Sequence, residues 1–170
     1  MNPGTRAVTV FIGVAALATV ARFLLFNEEP SDRAQIQTAL KESIDAGKEG
    51  RPGSAIDLLA RDFEVNGYTP NSSEVSRLIK EYKPDIEVLT PEPQVNGEVA
   101  EIVSPVKMTL KSPIKQAFDI TNVTFRFEKQ PATKWLFVPA KQWKLRKVTL
   151  PDDIAGQIGG LTNFGGFGGL

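Results

Sequence analysis

The chain contains no cysteine and no histidine. The first absence excludes disulfides, thiolate zinc sites, iron–sulfur clusters, a cysteine nucleophile and a lipidated cysteine anchor. The second removes the commonest general base and the commonest metal ligand. Tyrosine and tryptophan are scarce, at two residues each, and neither charge is in excess, with Lys+Arg 20 against Asp+Glu 20. No phosphate-binding loop is present, because Gly47, Gly50 and Gly53 lack the strand–glycine–helix context. A strongly basic protein is thereby excluded. At 41% hydrophobic and 24% charged residues, so is a wholly disordered chain. What remains is a sequence of 170 residues, enough for one small domain with attachments. No metal and no cofactor is expected.

The most prominent feature is the run Ala7 to Phe26, AVTVFIGVAALATVARFLLF, which holds the single charge Arg22. As a helix rising 1.5 Å per residue it spans roughly 30 Å, the thickness of a bilayer's hydrocarbon core. Arg22 lies near the end of the run, where its stem reaches the headgroups. A cleaved secretory signal is the competing reading, with Arg6 as its positive start and small residues before Ala21 or Ala18 as the cleavage site. The anchor is favoured, because Phe23-Leu24-Leu25-Phe26 suits the last turn of a span better than the opening of a mature soluble protein. The partner expected of this segment is the lipid bilayer. Residues 1–6 then form a short inner tail and residues 27–31 a linker. The body is expected on the far side of the cell membrane, in a single-pass arrangement.

From residue 32 to 150 the pattern is that of a folded domain. Ser31 or Asp32 caps a helix through Ile36, Leu40 and Ile44, stopped by Gly47 and Gly50. A second helix restarts at Pro52 and buries Ile56, Leu58, Leu59 and Phe63. Phe63 to Tyr68 reads as a short strand closed by Asn66-Gly67. A third helix, capped by Ser72 or Ser73, carries Val75, Leu78, Ile79 and Tyr82 inward, and Pro84 ends it. The rhythm then changes from 3.6 to 2. Four strands are expected, at Asp85–Thr90, Glu98–Leu110, Phe118–Lys129 and Lys134–Leu150. Pro105 and Pro139 mark bulges, and Gln130-Pro131-Ala132-Thr133 forms a hairpin turn. Thr121, Val123, Phe125 and Phe127 are placed together on one face.

Helices first and antiparallel strands later specify an α+β domain, three helices packed on a curved antiparallel sheet. The helix pair before Asp62-Phe63-Glu64-Val65-Asn66-Gly67 and the helix ending Ile79-Lys80-Glu81-Tyr82 carry a family likeness. So does the closing pair Val123–Phe127 and Trp135–Val138. The chain resembles the nuclear-transport-factor-two-like superfamily of cone-shaped α+β domains, which includes polyketide-cyclase-like (SnoaL-like) and ketosteroid-isomerase-like members. The resemblance implies a concave pocket between helices and sheet, and often a homodimer.

Enzymes on that fold use pocket Asp, Tyr or His, and here only Asp62, Asp85, Glu101 and Asp119 with Tyr68 and Tyr82 stand near the expected cavity. Each carboxylate has a plainer role at a helix end or on an outer strand face. Pocket candidates are Tyr68, Tyr82, Trp135, Trp143 and Asp62, the two tryptophans reading as core or rim residues before a ligand-stacking pair, and no residue is assigned a catalytic role. An apolar inner face suits a greasy or flat ligand, or is filled by its own side chains.

Charge is divided along the chain. Acidic residues outnumber basic ones two to one from Asn27 to Ser104, and basic residues outnumber acidic ones five to one from Pro105 to Lys147. The densest basic stretch, Lys141, Lys144, Arg146 and Lys147, reads as a solvated sheet face or as contact with an anionic surface or acidic protein. Nucleic acid is not an expected partner. Residues 151–170 hold seven of the 14 glycines and read as a flexible end in which Phe164, Phe167 and Leu170 recur at every third position. The functional expectation is a membrane-anchored, non-catalytic binding domain. A small pocket enzyme of isomerase, dehydratase or cyclase type is the alternative, as is a secreted carrier should the front segment be cleaved.

Overall fold

The computed structural model describes residues 30–111, 115–134, 138–152 and 154. The expected anchor at residues 7–26, together with Trp135, Phe137 and the segment after Ile154, lies outside this set. Among the described residues no helix is long and apolar enough to cross a membrane.

Helix α1 (Asp32–Lys48) places Ile36 and Leu40 in the core one turn apart. It closes where Gly50 adopts φ 72 and the Gly50 and Arg51 amides donate back to the carbonyls of Gly47 and Ala46. That reciprocal pair satisfies carbonyls the helix end would leave bare. Helix α2 (Pro52–Ile56) is a single turn. The sequence had continued it through Phe63, but the β-branched and aromatic residues that follow Leu58 enter strand β1 (Leu59–Val65) instead. Asn66 and Gly67, both at positive φ, close a tight turn in which Val65 and Tyr68 exchange backbone hydrogen bonds. Helix α3 (Ser72–Tyr82) starts from a capping box on Asn71 rather than from Ser72 or Ser73, and ends at Lys83 in the left-handed region before Pro84.

Strands β2 (Asp85–Val88), β3 (Gln94–Asn96), β4 (Val99–Leu110), β5 (Gln116–Lys134) and β6 (Val138–Thr149) complete one six-stranded sheet. Its order is β1-β6-β5-β4-β2, with β3 pairing on β4 beside β2. The sheet is mixed, which corrects the antiparallel expectation. β1 runs parallel to β6, with Leu59 opposite Leu145 and Val65 opposite Val148. Parallel neighbours need a long crossover, and α3 with the four intervening strands supplies one.

Three further corrections concern the strands. Pairing of β5 with β6 continues unbroken from Gln130↔Gln142 to Lys134↔Val138, so residues 130–133 are strand, not turn. The irregularity in β6 falls between Leu145 and Lys147, at Arg146, and not at Pro139. In β4 and β5 the register steps from Ser104↔Val123 to Val106↔Ile120. The expected irregularity lies at Pro105, but the extra residue belongs to β5: Thr121 and Asn122 together oppose Pro105, and Asn122 takes φ 57. This local kink shifts the strand's phase, so Thr121 is exposed while Ile120 and Val123 both point inward.

The core joins Ile36 and Leu40 of α1 to Ile102, Phe125, Phe127, Trp143 and Leu145 of the sheet. Ser104 is the buried polar residue within it, accepting from the Thr90 amide and donating to the Pro105 carbonyl. At the start of α1, the Asp32 carboxylate accepts a 3.0 Å bond from the Trp143 indole and a 3.0 Å bond from the Lys129 ammonium. That ammonium also lies 5.1 Å from the Trp143 ring centroid. The three side chains fasten the helical layer to the paired strands β5 and β6. The Lys129 and Trp143 hydrogen bonds hold the Asp32 carboxyl below its ordinary pKa. The native state therefore releases a proton more readily than the unfolded chain, and the stability this confers is present at neutral pH and lost as acid protonates the native carboxylate. The expected outcome is that melting temperature falls on acidification below the usual carboxylate range, and falls less in Asp32→Asn. At neutral pH Asp32→Ala costs about 1 kcal/mol by urea denaturation, the value of a charged hydrogen bond discounted for partial exposure.

Candidate ligand pocket

A cavity of about 350 Å³ lies between the helices and the sheet. Leu40, Ser43 and Ile44 of α1 and Val75 and Ile79 of α3 form its helical wall. The opposing wall is Val106 and Met108 of β4, Ile120, Val123 and Phe125 of β5, and Leu145 of β6. These positions share one sheet face because strand side chains alternate, and because the bulge of β5 at Thr121 and Asn122, opposite Pro105, brings Val123 back to the face of Ile120. Where β1 and the end of β6 meet, Phe63, Val65, Tyr68, Pro70, Val148 and Leu150 are each half-buried and form a rim.

The lining is almost wholly apolar, and its two hydroxyls are engaged. Ser43 Oγ donates to the Ala55 carbonyl at 2.9 Å. Tyr68 Oη donates to Glu74 Oε2 at 3.1 Å, and the same carboxylate oxygen accepts the Asn71 amide at 2.9 Å. Glu74 thus serves the cap of α3 and the rim together. Burial, and then the neighbouring Glu74 carboxylate, push the Tyr68 phenol above its ordinary pKa, so it stays neutral across the physiological range. Among the described residues no buried side-chain polar atom lacks a partner, and no group of three acidic residues is placed to hold a metal ion.

Of the five pocket candidates, Tyr68 lines the cavity. Tyr82 and Asp62 are not on its walls, and Trp135 lies outside the described residues. Trp143, 2% exposed, is a core residue turned toward Asp32. The carboxylates singled out from sequence also face away. Asp62 pairs with Arg146 at 3.1 Å, and Glu101 with Arg126 at 3.2 Å. Asp85 is held below its ordinary pKa chiefly by Lys48 at 3.0 Å, with Lys111 at 3.2 Å beside it. Asp119 is exposed opposite Lys107. Glu74 was missed, although the spacing Asn71-x-x-Glu74 is a capping signature that placed it at the start of a helix.

The four basic residues singled out on β6 each meet a group in the acidic half of the same chain. Lys147 pairs with Glu64 at 2.8 Å, Lys141 with Glu98, and Arg146 with Asp62, while Lys144 donates to the Asp57 carbonyl.

No protein-family model and no curated protein matches the chain. Solved structures do. A conserved protein from Planctomyces limnophilus DSM 3776 superposes with TM-score 0.52 at 14% identity, over 70% of this chain and 94% of that one. A protein of unknown function from Mycobacterium tuberculosis gives 0.50 at 13% identity, over 69% and 74%. An NTF-2 like protein of unknown function from Shewanella oneidensis MR-1 gives 0.48 at 16% identity, over 68% and 95%. The chain has the nuclear-transport-factor-two-like fold. Within that fold the cavity occupies the space between helices and sheet, and at these identities the likeness speaks to architecture alone.

The rim geometry is open to a direct check. In Tyr82→Phe, where Tyr68 is the single tyrosine, phenolate absorbance should titrate with a midpoint above that of free tyrosine. Adding Glu74→Gln should lower the midpoint partway, because the burial that contributes most remains. A midpoint at the free-tyrosine value would place Tyr68 in open water.

Proposed function

We propose that this is a non-catalytic binding domain, held at the cell membrane by residues 7–26, whose cavity takes an uncharged, largely apolar small molecule. The observation that supports the reading is the lining of the cavity. Its volume of about 350 Å³ falls within the range of small-molecule sites. Its walls offer a ligand hydrocarbon and little else, since the Ser43 and Tyr68 hydroxyls already donate within the protein. A charged ligand entering such walls would lose its hydration with no compensating partner. Binding energy there comes from removing apolar surface from water, about 25 cal/mol per Å².

The tether rests on the length and apolarity of Ala7–Phe26. A body on the far side of the membrane places the cavity within reach of molecules that partition into lipid. A carboxylate enzyme is the second reading, and the observation in its favour is Glu74 beside Tyr68. That carboxylate already accepts two hydrogen bonds and holds a helix cap, which suits a fixed structural role better than proton transfer. The basic face gives weaker grounds for an anionic partner, because its side chains are engaged within the chain.

Native mass spectrometry of the full chain released from its membrane tests both parts. The expected outcome is an intact mass that retains residues 1–26 and carries one apolar adduct. Met108→Trp, which fills the cavity from the sheet side, should reduce the adduct roughly tenfold, the effect of about 1.4 kcal/mol, with circular dichroism unchanged. An adduct undiminished in the variant, or none in the parent protein, overturns the binding reading. A mature chain beginning after Ala21 overturns the tether.

A further inference from the structure

We infer that the carboxyl-terminal segment of this same chain, residues 155–170, is the cavity's resident occupant and competes with its ligand. The inference rests on reading the cavity as a binding site and adds the regulation of that site.

The exit point of the chain is the leading observation. Asn66, in the tight turn after β1, grips Leu150 from both sides. Its amide nitrogen donates to the Leu150 carbonyl at 3.0 Å, and its carbonyl oxygen accepts the Leu150 amide at 2.7 Å. Leu150 is itself part of the cavity rim, next to Val65 and Tyr68. Beyond it the Ile154 amide donates to the Pro151 carbonyl at 3.1 Å, and the Ile154 side chain packs on the core. The segment therefore begins beside the open end of the cavity, held there by a two-way hydrogen-bonded clamp.

The sequence of the segment matches what the cavity offers. Ile158, Leu161, Phe164, Phe167 and Leu170 recur at every third residue, separated mostly by glycine, and no charged side chain follows Asp153. Apolar side chains in such a series gain from cover, and the nearest uncovered apolar wall is the rim from which the segment departs. Fully extended, the segment reaches roughly 50 Å, far more than the distance to a cavity at its own root. Glycine between the apolar residues lets the backbone fold sharply back. A cavity of about 350 Å³ admits one or two aromatic side chains, so Phe164 or Phe167 enters while the remainder crosses the rim.

Tethering sets the strength of this occupancy. A short connection holds the segment at an effective concentration in about the millimolar range. Ordering its glycines opposes that gain. The outcome is an occupant that keeps the apolar walls covered and yields to a better-fitting ligand. Apparent ligand affinity is reduced by the fraction of time the cavity is filled.

The absence of cysteine makes the test clean. In the full chain in its membrane, Phe63→Cys combined with Phe167→Cys places one thiol on the rim and one on the segment. Val103→Cys combined with Phe167→Cys is the control, since Val103 is 59% exposed on the outer sheet face. With diamide added as the two-electron oxidant, the expected result is an intramolecular disulfide at least tenfold faster in the first pair. Saturating N-phenyl-1-naphthylamine, an uncharged apolar probe, should slow that bond severalfold. Equal rates in the two pairs, a bond formed between copies, or indifference to the probe each overturns the inference. Should Phe63→Cys fail to fold, Pro70→Cys on the same rim carries the same readout. Failure here alongside a persistent native adduct would refute the segment and leave ligand binding standing. A preferential cross-link in a protein that carries no adduct would do the reverse.

Discussion

Without β1, strand β6 would expose a row of unpaired amides and carbonyls along a twelve-residue edge. The parallel pairing of β1 covers the Leu145–Val148 part of that edge, and much else follows from it. Because β1 lies between α2 and α3 in sequence, fixing it against β6 draws both helices over the same sheet face. The Leu145 amide donates to the Leu58 carbonyl, and the Asn66 amide to the Val148 carbonyl, so the pairing is anchored at both ends. It brings Val65, Tyr68 and Leu150 together as the cavity rim. The Asp32–Trp143–Lys129 cluster does comparable work for α1, tying its first residue to β5 and β6.

How much of this was legible in the sequence depended on the range of the interaction responsible. The three helices followed from four-residue spacing and from Gly50, Pro52 and Pro84, which are local signals. An irregularity at Pro105 was equally visible, because proline cannot give its ladder hydrogen bond, but the extra residue lies on the facing strand at Thr121 and Asn122. The parallel partner of β1 was not visible, since nothing near residues 59–65 encodes pairing with residues 145–148. The length of α2 was overread because Leu58, Leu59 and Phe63 fit a helical stripe and an alternating strand almost equally well. Thr121 was placed inward on strict alternation, which the left-handed turn of the backbone at Asn122 breaks. Of the cavity, an apolar sheet face was expected from the alternation, and Tyr68 lies at its rim. Trp143, read from the sequence as a core or rim residue before a ligand-stacking one, is buried.

The charge division, which suggested a partner, is spent largely within the molecule. Glu64 with Lys147 and Asp62 with Arg146 link β1 to the strand beside it, and Glu98 with Lys141 links the β3–β4 turn to the far end of β6. Exposed pairs of this kind add little stability individually. The value of the two β1–β6 pairs is positional, because opposite charges facing one another across adjacent strands disfavour a slip in register. An acidic first half and a basic second half are what a chain needs when its early elements must close onto its late strands.

The paired irregularity at Pro105 and Asn122 has an evolutionary reading. It sits in the backbone of the two central strands and bends them, so the hollow between sheet and helices owes its existence to main-chain geometry. The walls of that hollow are side chains such as Met108, Ile120 and Val123, which are free to change size without disturbing the bend. Descendants of this sequence can therefore drift in what they accommodate, trading bulk at one wall position for bulk at another, while the scaffold that frames the space is inherited intact.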